Sequence, residues 1–388
     1  GVLLLNRTPS IKELFFSFFK LGWTAFGGPA MVVHIRKMVV EQKQWLNDAT
    51  FSNGVALCQM IPGATAMQAA AYAGFKTRGV LGAGASFIGF ALPAFLIMVV
   101  LSAAYAKGHS LPPIMSAFKG LQVIVTAIVA KATLTFGRTW LKDWRGIFIT
   151  LMAAAMFGLG INPVLVIIAA GICGLGLHGK ENKLSIQAIV PEHRYPYKSF
   201  LFILLIAAIA FVLLFIFRRP LFDLVFLMSR IDLFAFGGGF SALPIMFNEV
   251  VHVRGWLDSL TFLDGIALGQ ITPGPIVITA TFIGYLLYGF SGAIVATVFI
   301  FLPSFILVIT LEPYFAKLQH SRYFSRTIRG ILYSFVGMLL SVVIHFALNI
   351  TWDIPRILLA IATFTALVCN VKLPWIIIAG VIVSVFVF

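Results

Sequence analysis

Residues 234–303 decide how this sequence folds. They read FAFGGGFSALP at 234–244, GWLD at 255–258, GIALGQITPGPIVITATFIGY at 265–285 and GAIVATVFIFLP at 292–303. The long apolar runs are interrupted by three glycines and by a Pro-Gly-Pro sequence. A helix broken inside a membrane exposes backbone N–H groups and a positive dipole end, which suits a binding site for a small polar solute. Such irregular backbone is tolerated at membrane depth only inside protein or beside a watery cavity.

The same interruptions occur about 210 residues earlier in the chain. The matches at an offset of 210 or 211 are Phe26-Gly27-Gly28 with Phe236-Gly237-Gly238, Trp45-Leu46-Asn47 with Trp256-Leu257-Asp258, Gln59-Met60-Ile61-Pro62-Gly63 with Gln270-Ile271-Thr272-Pro273-Gly274, Gly79 and Gly82 with Gly289 and Gly292, and Leu92-Pro93 with Leu302-Pro303. An ordered series of this kind indicates an internal duplication. We expect a first repeat at 1–178, a polar loop with a linking helix at 179–220 and a second repeat at 221–388.

Composition places the chain in a membrane. Its 388 residues are 60% hydrophobic and only 11% charged, and the mean hydropathy is +1.02, whereas soluble domains carry about 25% charged residues. The net charge of +15 comes from basic residues spread singly through short loops, a pattern typical of membrane orientation rather than nucleic-acid binding. Cys58, Cys173 and Cys369 lie far apart in apolar runs, so we expect no disulfide framework, no metal and no cofactor.

The apolar segments predict an all-α polytopic transmembrane bundle of two inverted repeats with broken or re-entrant helices. The expected spans lie near 12–33, 51–75, 80–105, 114–137, 146–160 and 163–178, then 199–217 as a linking span, then 221–246, 261–287, 290–311, 328–349, 355–369 and 372–388. The short pairs at 146–178 and 355–388 are either two spans each or hairpins that do not fully cross. No signal-peptide pattern precedes the first helix, which we expect to act as the insertion signal.

Each repeat has an even number of spans, so the single linking span turns the second repeat over. With the N-terminus on one side, called side A, the loops of side A collect 16 basic residues and those of the opposite side B collect 7. The positive-inside rule then predicts that side A is cytoplasmic, with the N-terminus inside and the C-terminus outside.

The interruptions favour an anionic solute, because helix N-termini after each Pro-Gly pair offer N–H donors and a positive dipole end. Amides and hydroxyls beside the breaks add donors. The predicted substrate-binding residues are Lys20, Phe26, Gly27, Gly28, Gln59, Pro62, Gly63, Thr65, Arg230, Phe236, Gly237, Gly238, Ser241, Gln270, Pro273 and Gly274. Pro and Gly also kink ordinary packed membrane helices, but their repetition in both halves favours a binding site.

Basic residues inside spans support the same conclusion, since each charge in the hydrocarbon region costs at least about 2.5–3.5 kcal/mol. Lys20 and Arg230 match at an offset of 210, six residues before each Phe-Gly-Gly break. The alternatives are that Lys20 snorkels to an interface and that Arg230 pairs with Asp232. Lys119 and Arg329 form a secondary matched pair near helix starts, where snorkelling is at least as good an explanation.

The combination FGGP…WL…CQMIPGAT…GVLGAG…LPAF with FGGGF…WL…GQITPGP…GAIVATVFIFLPSF resembles the chromate transporter family in its long, two-repeat form. The resemblance covers both repeats and nearly the whole chain. It implies a protein of the bacterial or archaeal cytoplasmic membrane that carries chromate, an analogue of sulfate, usually outward. The first repeat has Pro62-Gly63-Ala64 where the second has a full Pro-Gly-Pro, so the two halves need not contribute equally to binding.

Export of a dianion from a negative interior gains about 2.3 kcal/mol per charge at 100 mV and needs no coupled ion, whereas uptake would need one. Candidate carriers of a coupled proton are Asp232, Asp264, Glu312 and His345. An uptake carrier for sulfate-like anions and an anion channel remain open alternatives. We expect no enzyme, because no convergent nucleophile or metal motif lies in the spans. The expected partners are the oxyanion and membrane lipids, without nucleic acid, and both a monomer and a homodimer are compatible with the sequence.

Overall fold

The computed structural model describes residues 8–26, 29–108, 111–176, 218–315 and 321–388, with positions 205, 208, 209, 211, 212, 215 and 216. In the first repeat these residues form α1 (Ile11–Gly22), α2 (Pro29–Arg36), α3 (Asp48–Met60), α4 (Thr65–Gly108), α5 (Pro112–Trp140), α6 (Trp144–Gly158) and α7 (Pro163–Leu175). In the second they form α8 (Arg219–Phe234), α9 (Ala242–Phe247), α10 (Ser259–Ile271), α11 (Thr279–Leu311), α12 (Arg322–Asn349), α13 (Ile354–Val368) and α14 (Leu373–Val387). The polar loop expected at 179–198, and most of the linking span, lie outside these ranges.

The described residues are all-α, as predicted, and the two halves repeat each other's irregularities. Gly79 has φ 62° and ψ −150°, and its counterpart Gly289 has φ 61° and ψ −148°. Both α2 and α9 continue into a six-residue π-helical segment, at Lys37–Gln42 and Asn248–Val253. Backbone conformations that agree this closely confirm the duplication seen in the sequence.

The helices α4 and α11 each consist of two antiparallel segments joined by a sharp turn at these glycines. The Ser86 hydroxyl donates to the Ala70 carbonyl at 2.7 Å, although sixteen residues would span about 24 Å in a straight helix. The hydroxyls of Thr281 and Thr297 lie 2.6 Å apart in the same way. The chain therefore reverses at Gly79 and again at Gly289, as the predicted span boundaries require.

The predicted first span, 12–33, does not cross the bundle. The helix α1 ends at Gly22, and the chain comes back through α2 and the π-helical segment, because the Lys43 ammonium lies 3.4 Å from the Glu13 carboxylate near the start of α1. Had the chain continued in one direction, its 26 helical residues would separate these ends by about 39 Å. The segment is a re-entrant hairpin that turns between Gly22 and Pro29.

The predicted span 51–75 is a second re-entrant hairpin. The Tyr72 hydroxyl donates to the Thr50 carbonyl at 3.3 Å, so α3 and the first segment of α4 run antiparallel around a tip at 61–64. Asn47 begins this hairpin as the N-cap of α3, where its side chain accepts from the Thr50 N–H at 2.7 Å. Its counterpart Asp258 caps α10 in the second repeat, which gives the repeated Trp-Leu-Asn/Asp motif a structural reason.

The second repeat contains the same two hairpins, because Arg230 contacts Glu249 and the Phe282 ring lies against Gly265. The segments 221–246 and 261–287, predicted as crossing spans, therefore do not cross either. These corrections move Arg36, Lys37 and Lys43 to side A, and they move Arg254, the counterpart of Lys43, to side B. With three basic residues gained and one lost, the 16 of side A become 18, and the 7 of side B become 5. The charge asymmetry behind the predicted orientation is therefore larger than the sequence alone indicated.

Among the described residues, four helical stretches are long and apolar enough to cross a membrane, at Thr65–Gly108, Pro112–Trp140, Ile276–Tyr314 and Arg322–Asn349, and the first and third of these reverse at Gly79 and Gly289. The helices of the short pairs have only 13 to 15 residues, or about 20–23 Å at 1.5 Å per residue. The pairs are exchanged between repeats, because α6 and α7 pack on α12 while α13 and α14 pack on α5. Gly330 meets Gly174 at one crossing, and Gly120 meets Ser384 at the matching one.

The re-entrant hairpins predict which loop residues share a side of the membrane. In a variant without the three native cysteines, we expect Lys43→Cys and Lys142→Cys to react with an impermeant thiol reagent from one side, and Arg218→Cys and Arg254→Cys from the other. Labelling of intact cells and of opened membranes measures this directly. Labelling of positions 43 and 218 from the same side would show that the segment 12–33 crosses the membrane and does not form a hairpin.

The close approach inside α4 predicts a stability effect. A Cβ on Gly74 would lie 2.2 Å from the Gly82 carbonyl oxygen, whereas one on Gly84 would meet nothing within 4 Å. Overpacking typically costs about 1–3 kcal/mol, so Gly74→Ala should lower the unfolding temperature in detergent while Gly84→Ala leaves it unchanged. Equal unfolding temperatures for both variants would show that the two segments are not packed this closely.

Candidate functional site

The tips of the re-entrant hairpins meet across the repeats through two reciprocal hydrogen bonds. The Gly63 N–H donates to the Ala235 carbonyl at 2.9 Å. In the same manner, the Gly274 N–H donates to the Ala25 carbonyl at 2.9 Å. Each Pro-Gly break is thus joined to the residue that precedes the Phe-Gly break of the other repeat. The matched motifs form one composite centre, and neither repeat contains it alone.

The glycines at this centre are required by conformation and by space. Gly63 and Gly274 have φ values of +118° and +121°, which L side chains rarely adopt. A Cβ on Gly63 would lie 2.2 Å from the Ser304 side chain, and one on Gly274 would lie 2.9 Å from Ala94. Any larger residue would separate the tips.

Several of the predicted donors are already used inside the protein. The N–H groups of Gly63 and Gly274 are consumed by the reciprocal bonds. The Ser241 hydroxyl donates to the Gly238 carbonyl at 2.5 Å, so its hydrogen is also occupied. These groups shape the tips, and an anion would have to be held by other donors.

Other predicted donors lack partners among the described residues. The Thr65 side chain has no hydrogen-bond partner there, and its hydroxyl oxygen lies 3.4 Å from the Cβ position of Gly238, on the opposite repeat. The Gln270 side-chain nitrogen Nε2 is buried and unpaired, although a buried amide normally has a partner. Thr65 also begins α4, whose first N–H groups have no intrahelical acceptor. An anion at the tips would satisfy such donors.

The remaining predicted tip residues differ in how deeply the structure buries them. Phe26 and Phe236 are both half-buried, and Pro62 and Pro273 are buried within the tips, whereas Gln59 is exposed. The matched glutamines therefore have different surroundings, and Gln270 is the one enclosed by protein. Gly27 and Gly28 lie outside the described residues. Their counterparts Gly237 and Gly238 have φ values of +92° and +101°, which only glycine adopts without strain.

The two basic residues before the breaks have different environments. The Arg230 guanidinium pairs with the Glu249 carboxylate, which Arg254 also contacts, and not with Asp232 as the sequence alternative had it. Glu249 is 1% exposed, so the three side chains form a buried ion cluster beside the break of the second repeat. Lys20 is exposed, on the same helix face as the exposed Phe16. Both charges precede their Phe-Gly break by six residues.

The secondary basic pair lies away from the tips. Lys119 and Arg329 each follow the first residue of α5 or α12 by seven positions, about 10 Å along the axis. They directly precede Gly120 and Gly330, where these helices cross the exchanged helices of the other repeat. The position next to these crossings favours a role at the membrane interface over direct contact with a solute at the tips.

A groove of about 420 Å³ lies between the second segments of α4 and α11. Its lining consists of matched residues from the two repeats, such as Phe87 with Thr297 and Phe95 with Phe305. The surface is almost wholly apolar, so it offers no donors that could replace the hydration of an anion. The polar centre at the tips is the better place for a charged solute.

Sequence reasoning missed the residues that hold the tips together. The carbonyls of Ala25 and Ala235 carry no side-chain signal, and only the reciprocal fold reveals their role. Gln68 and Ser304 are both 0% exposed beside Gly63. A glutamine in the apolar run TAMQAAA could have been noticed as a buried polar residue.

Four re-entrant hairpins from two repeats, meeting at a polar centre inside a membrane bundle, define the class of inverted-repeat membrane transporters. A model of the family described as "Chromate transporter" matches the chain twice, at residues 12–175 and 222–385. The chain therefore belongs to the chromate transporter family, as the sequence resemblance predicted. The two matched ranges are offset by 210 residues, the same offset as the motifs.

Full-length relatives support this membership. The chain is 43% identical to an uncharacterised transporter of Methanocaldococcus jannaschii over 93% of its own length and 90% of the relative's. It is 31% identical to a probable chromate transport protein of Synechococcus elongatus, over 96% and 94% of the two chains. It is 30% identical to a chromate transport protein of Cupriavidus metallidurans, over 94% and 90%. No solved structure matches the chain.

The basic residues before the breaks give a testable difference. We expect Lys20→Gln to weaken anion binding about ten- to a hundredfold, the value of one charge-assisted hydrogen bond, without loss of stability. Arg230→Ala should weaken binding and also lower the unfolding temperature, because Glu249 loses one of its two partners. Anion-dependent thermal stabilisation in detergent measures both effects.

Lys12→Gln is the matched control, since Lys12 is an exposed lysine two turns away on α1. Its anion affinity should equal that of the wild type. Wild-type affinity in both the Lys20 and Arg230 variants would remove these residues from the site.

Proposed function

We propose that this protein transports chromate, or a related tetrahedral oxyanion such as sulfate, outward across the cytoplasmic membrane by alternating access between its two repeats. The observation that carries the proposal is the composite centre at the hairpin tips, where the Gly63 and Gly274 N–H groups join the two repeats. A site enclosed by two inverted repeats can open to either side of the membrane in turn.

The chemistry of the centre favours an anion over a cation. Thr65 and the start of α4 supply unpaired donors, and Gln270 supplies a buried amide without a partner. The positive ends of helix dipoles add to this field. The ion cluster that Arg230 forms beside the tips contains two guanidinium groups against one carboxylate, and so keeps a net positive charge.

The choice of chromate rests on relatives whose names refer to chromate transport. Sulfate has the same tetrahedral shape and charge as the chromate dianion, so donors arranged for one would accept the other. The outward direction rests on electrostatics. Two negative charges leaving a negative interior gain about 4.6 kcal/mol at 100 mV, twice the value for one charge.

Two alternatives make different predictions about flux. A proton- or ion-coupled uptake carrier for sulfate-like anions would use the same centre but would lose inward flux when the ion gradient is collapsed. A channel would share the broken helices but would pass currents far above carrier rates. The tips of the two repeats are joined by two backbone hydrogen bonds, which favours the carrier.

The test is isotope flux of chromate and of sulfate in proteoliposomes, with the membrane potential set by a potassium gradient. We expect chromate to move in response to potential alone and sulfate to compete with it. Lys12→Gln vesicles should behave as the wild type, and vesicles without protein give the leak. Absence of flux of either anion under every gradient would overturn the proposal, and dependence on an added ion gradient would favour the coupled carrier.

A further inference from the structure

A single aspartate lies at the centre of the tips. Asp232 is in α8, three residues before the Ala235 carbonyl that accepts the Gly63 N–H, and it is 2% exposed. One of its carboxylate oxygens accepts the backbone N–H of Ser304 at 2.7 Å. Ser304 follows Pro303 inside α11 and touches the Cβ position of Gly63. The carboxylate therefore contacts the helix that packs directly against the tip of the first repeat.

No basic side chain among the described residues lies within ion-pair distance of this carboxylate, because Arg230 pairs with Glu249. An ionised carboxylate that is buried without a cation is unfavourable. The surroundings are also rich in acceptors. Gln68 is 0% exposed, its amide nitrogen donates to the Pro62 carbonyl, and its oxygen Oε1 has no partner. The Oε1 atom of Gln68, next to Gly63, is therefore an acceptor without a donor among the described residues.

The two repeats differ at this position. The counterpart of Asp232 is Gly22, and a Cβ on Gly22 would lie 2.7 Å from the Phe90 carbonyl oxygen. The counterpart of Ser304 is Ala94. The first repeat thus packs backbone against backbone where the second repeat has placed a carboxylate.

We propose that Asp232 is the proton site of the transporter, and that it holds a proton while an oxyanion occupies the hairpin tips. This inference rests on the proposed function. When the carboxylate is ionised, its negative charge repels an anion at the neighbouring tips. When a proton forms an O–H bond on one carboxylate oxygen, the charge falls from −1 to zero and the repulsion disappears. Proton and oxyanion therefore favour each other's binding, by the reciprocity of linked ligands.

The other candidate proton carriers are better explained by local contacts. The Asp264 carboxylate accepts from the Tyr105 hydroxyl at 2.9 Å and from the Gln122 amide at 2.8 Å, so each of its oxygens has a hydrogen-bond donor. Glu312 pairs with Lys76, and the ring of His345 packs on Phe247 and His252.

The other charged and titratable groups near Asp232 do not contact its carboxylate, so the effect of its protonation can be measured separately from theirs. On its own hairpin they are Arg230, Glu249 and Arg254, which neutralise one another in part, and also Arg219, Asp223 and His252. Facing α11 from the first repeat are Cys58, which packs near Phe305, and Lys76, which is held by Glu312. None of these groups is placed against the Asp232 carboxylate, so its substitution should remove one titration and leave the others.

The test is the affinity for sulfate, measured at several pH values between about 5 and 8, because sulfate keeps its charge throughout this range. In the wild type, the dissociation constant should rise as the pH rises, by up to tenfold per pH unit for one linked proton. Asp232→Asn keeps an oxygen to accept the Ser304 N–H but carries no charge. Its affinity should be independent of pH and equal to the wild-type value at low pH.

Asp223→Asn is the matched control, because Asp223 is an exposed aspartate on the same helix α8. It should keep the full pH dependence. An unchanged pH dependence in Asp232→Asn would overturn the proton proposal while leaving the transport proposal intact. Absence of sulfate and chromate binding at every pH would instead overturn the transport proposal. Dependence of the affinity on Na⁺, with no dependence on pH, would also reject the proton.

A second measurement uses the wild type alone, in case the Asp232→Asn variant does not fold. A pH-sensitive dye is trapped in proteoliposomes, and a sulfate gradient is applied inward with the potential clamped. We expect the interior to become acidic as sulfate enters. Addition of a protonophore should prevent this pH gradient from building up. Sulfate entry without any change of internal pH would overturn the proposal. A complex of one dianion and one proton keeps a net negative charge, so an inside-negative potential still favours its outward movement.

Discussion

The structure depends on one constraint, which is that backbone polar groups at membrane depth need partners. At the hairpin tips, Gly63 and Gly274 are buried inside the protein. The Gly63 and Gly274 N–H groups solve this by bonding to carbonyls of the opposite repeat. Glycine is needed at both positions because of the positive φ and the close approach of the other repeat. The repeats are consequently folded around each other, and neither hairpin tip would be satisfied alone.

Duplication supplied two equal frameworks, and the second repeat has acquired most of the buried charge. Asp232, Glu249 and Asp264 are all less than a tenth exposed, and their first-repeat counterparts are the uncharged Gly22, Met38 and Asn53. A charge buried in this way is costly unless it is paired or protonated. Glu249 pairs with two arginines, and Asp264 accepts hydrogen bonds from Tyr105 and Gln122. The asymmetry indicates that the frameworks share the geometry of the centre while the second repeat determines its electrostatics.

The sequence predicted the helical class, the duplication, its offset and the positions of the breaks. Glycine and proline that interrupt apolar runs are visible in the residue types themselves. The sequence did not reveal that 12–33 and 51–75 fold back, since a half-length helix that returns has the same hydropathy as one that continues. The evidence for return is the approach of Lys43 to Glu13, a long-range contact. For the same reason, the use of the Gly63 N–H by a backbone carbonyl left no trace in the residue types.

The packing also limits how an alternating-access cycle could work. Separating the tips would leave the N–H groups of Gly63 and Gly274 unpaired inside the bundle, each at a cost of several kcal/mol. The α4–α11 contact, with the Lys76–Glu312 pair, further joins the two repeats. By contrast, α5 with α13 and α14, and α12 with α6 and α7, form two outer groups that hold the exchanged helices. A cycle that keeps the tips paired must therefore move the four hairpins as one unit against these outer helices, which would carry the bound ion and the Asp232 carboxylate together from one side to the other.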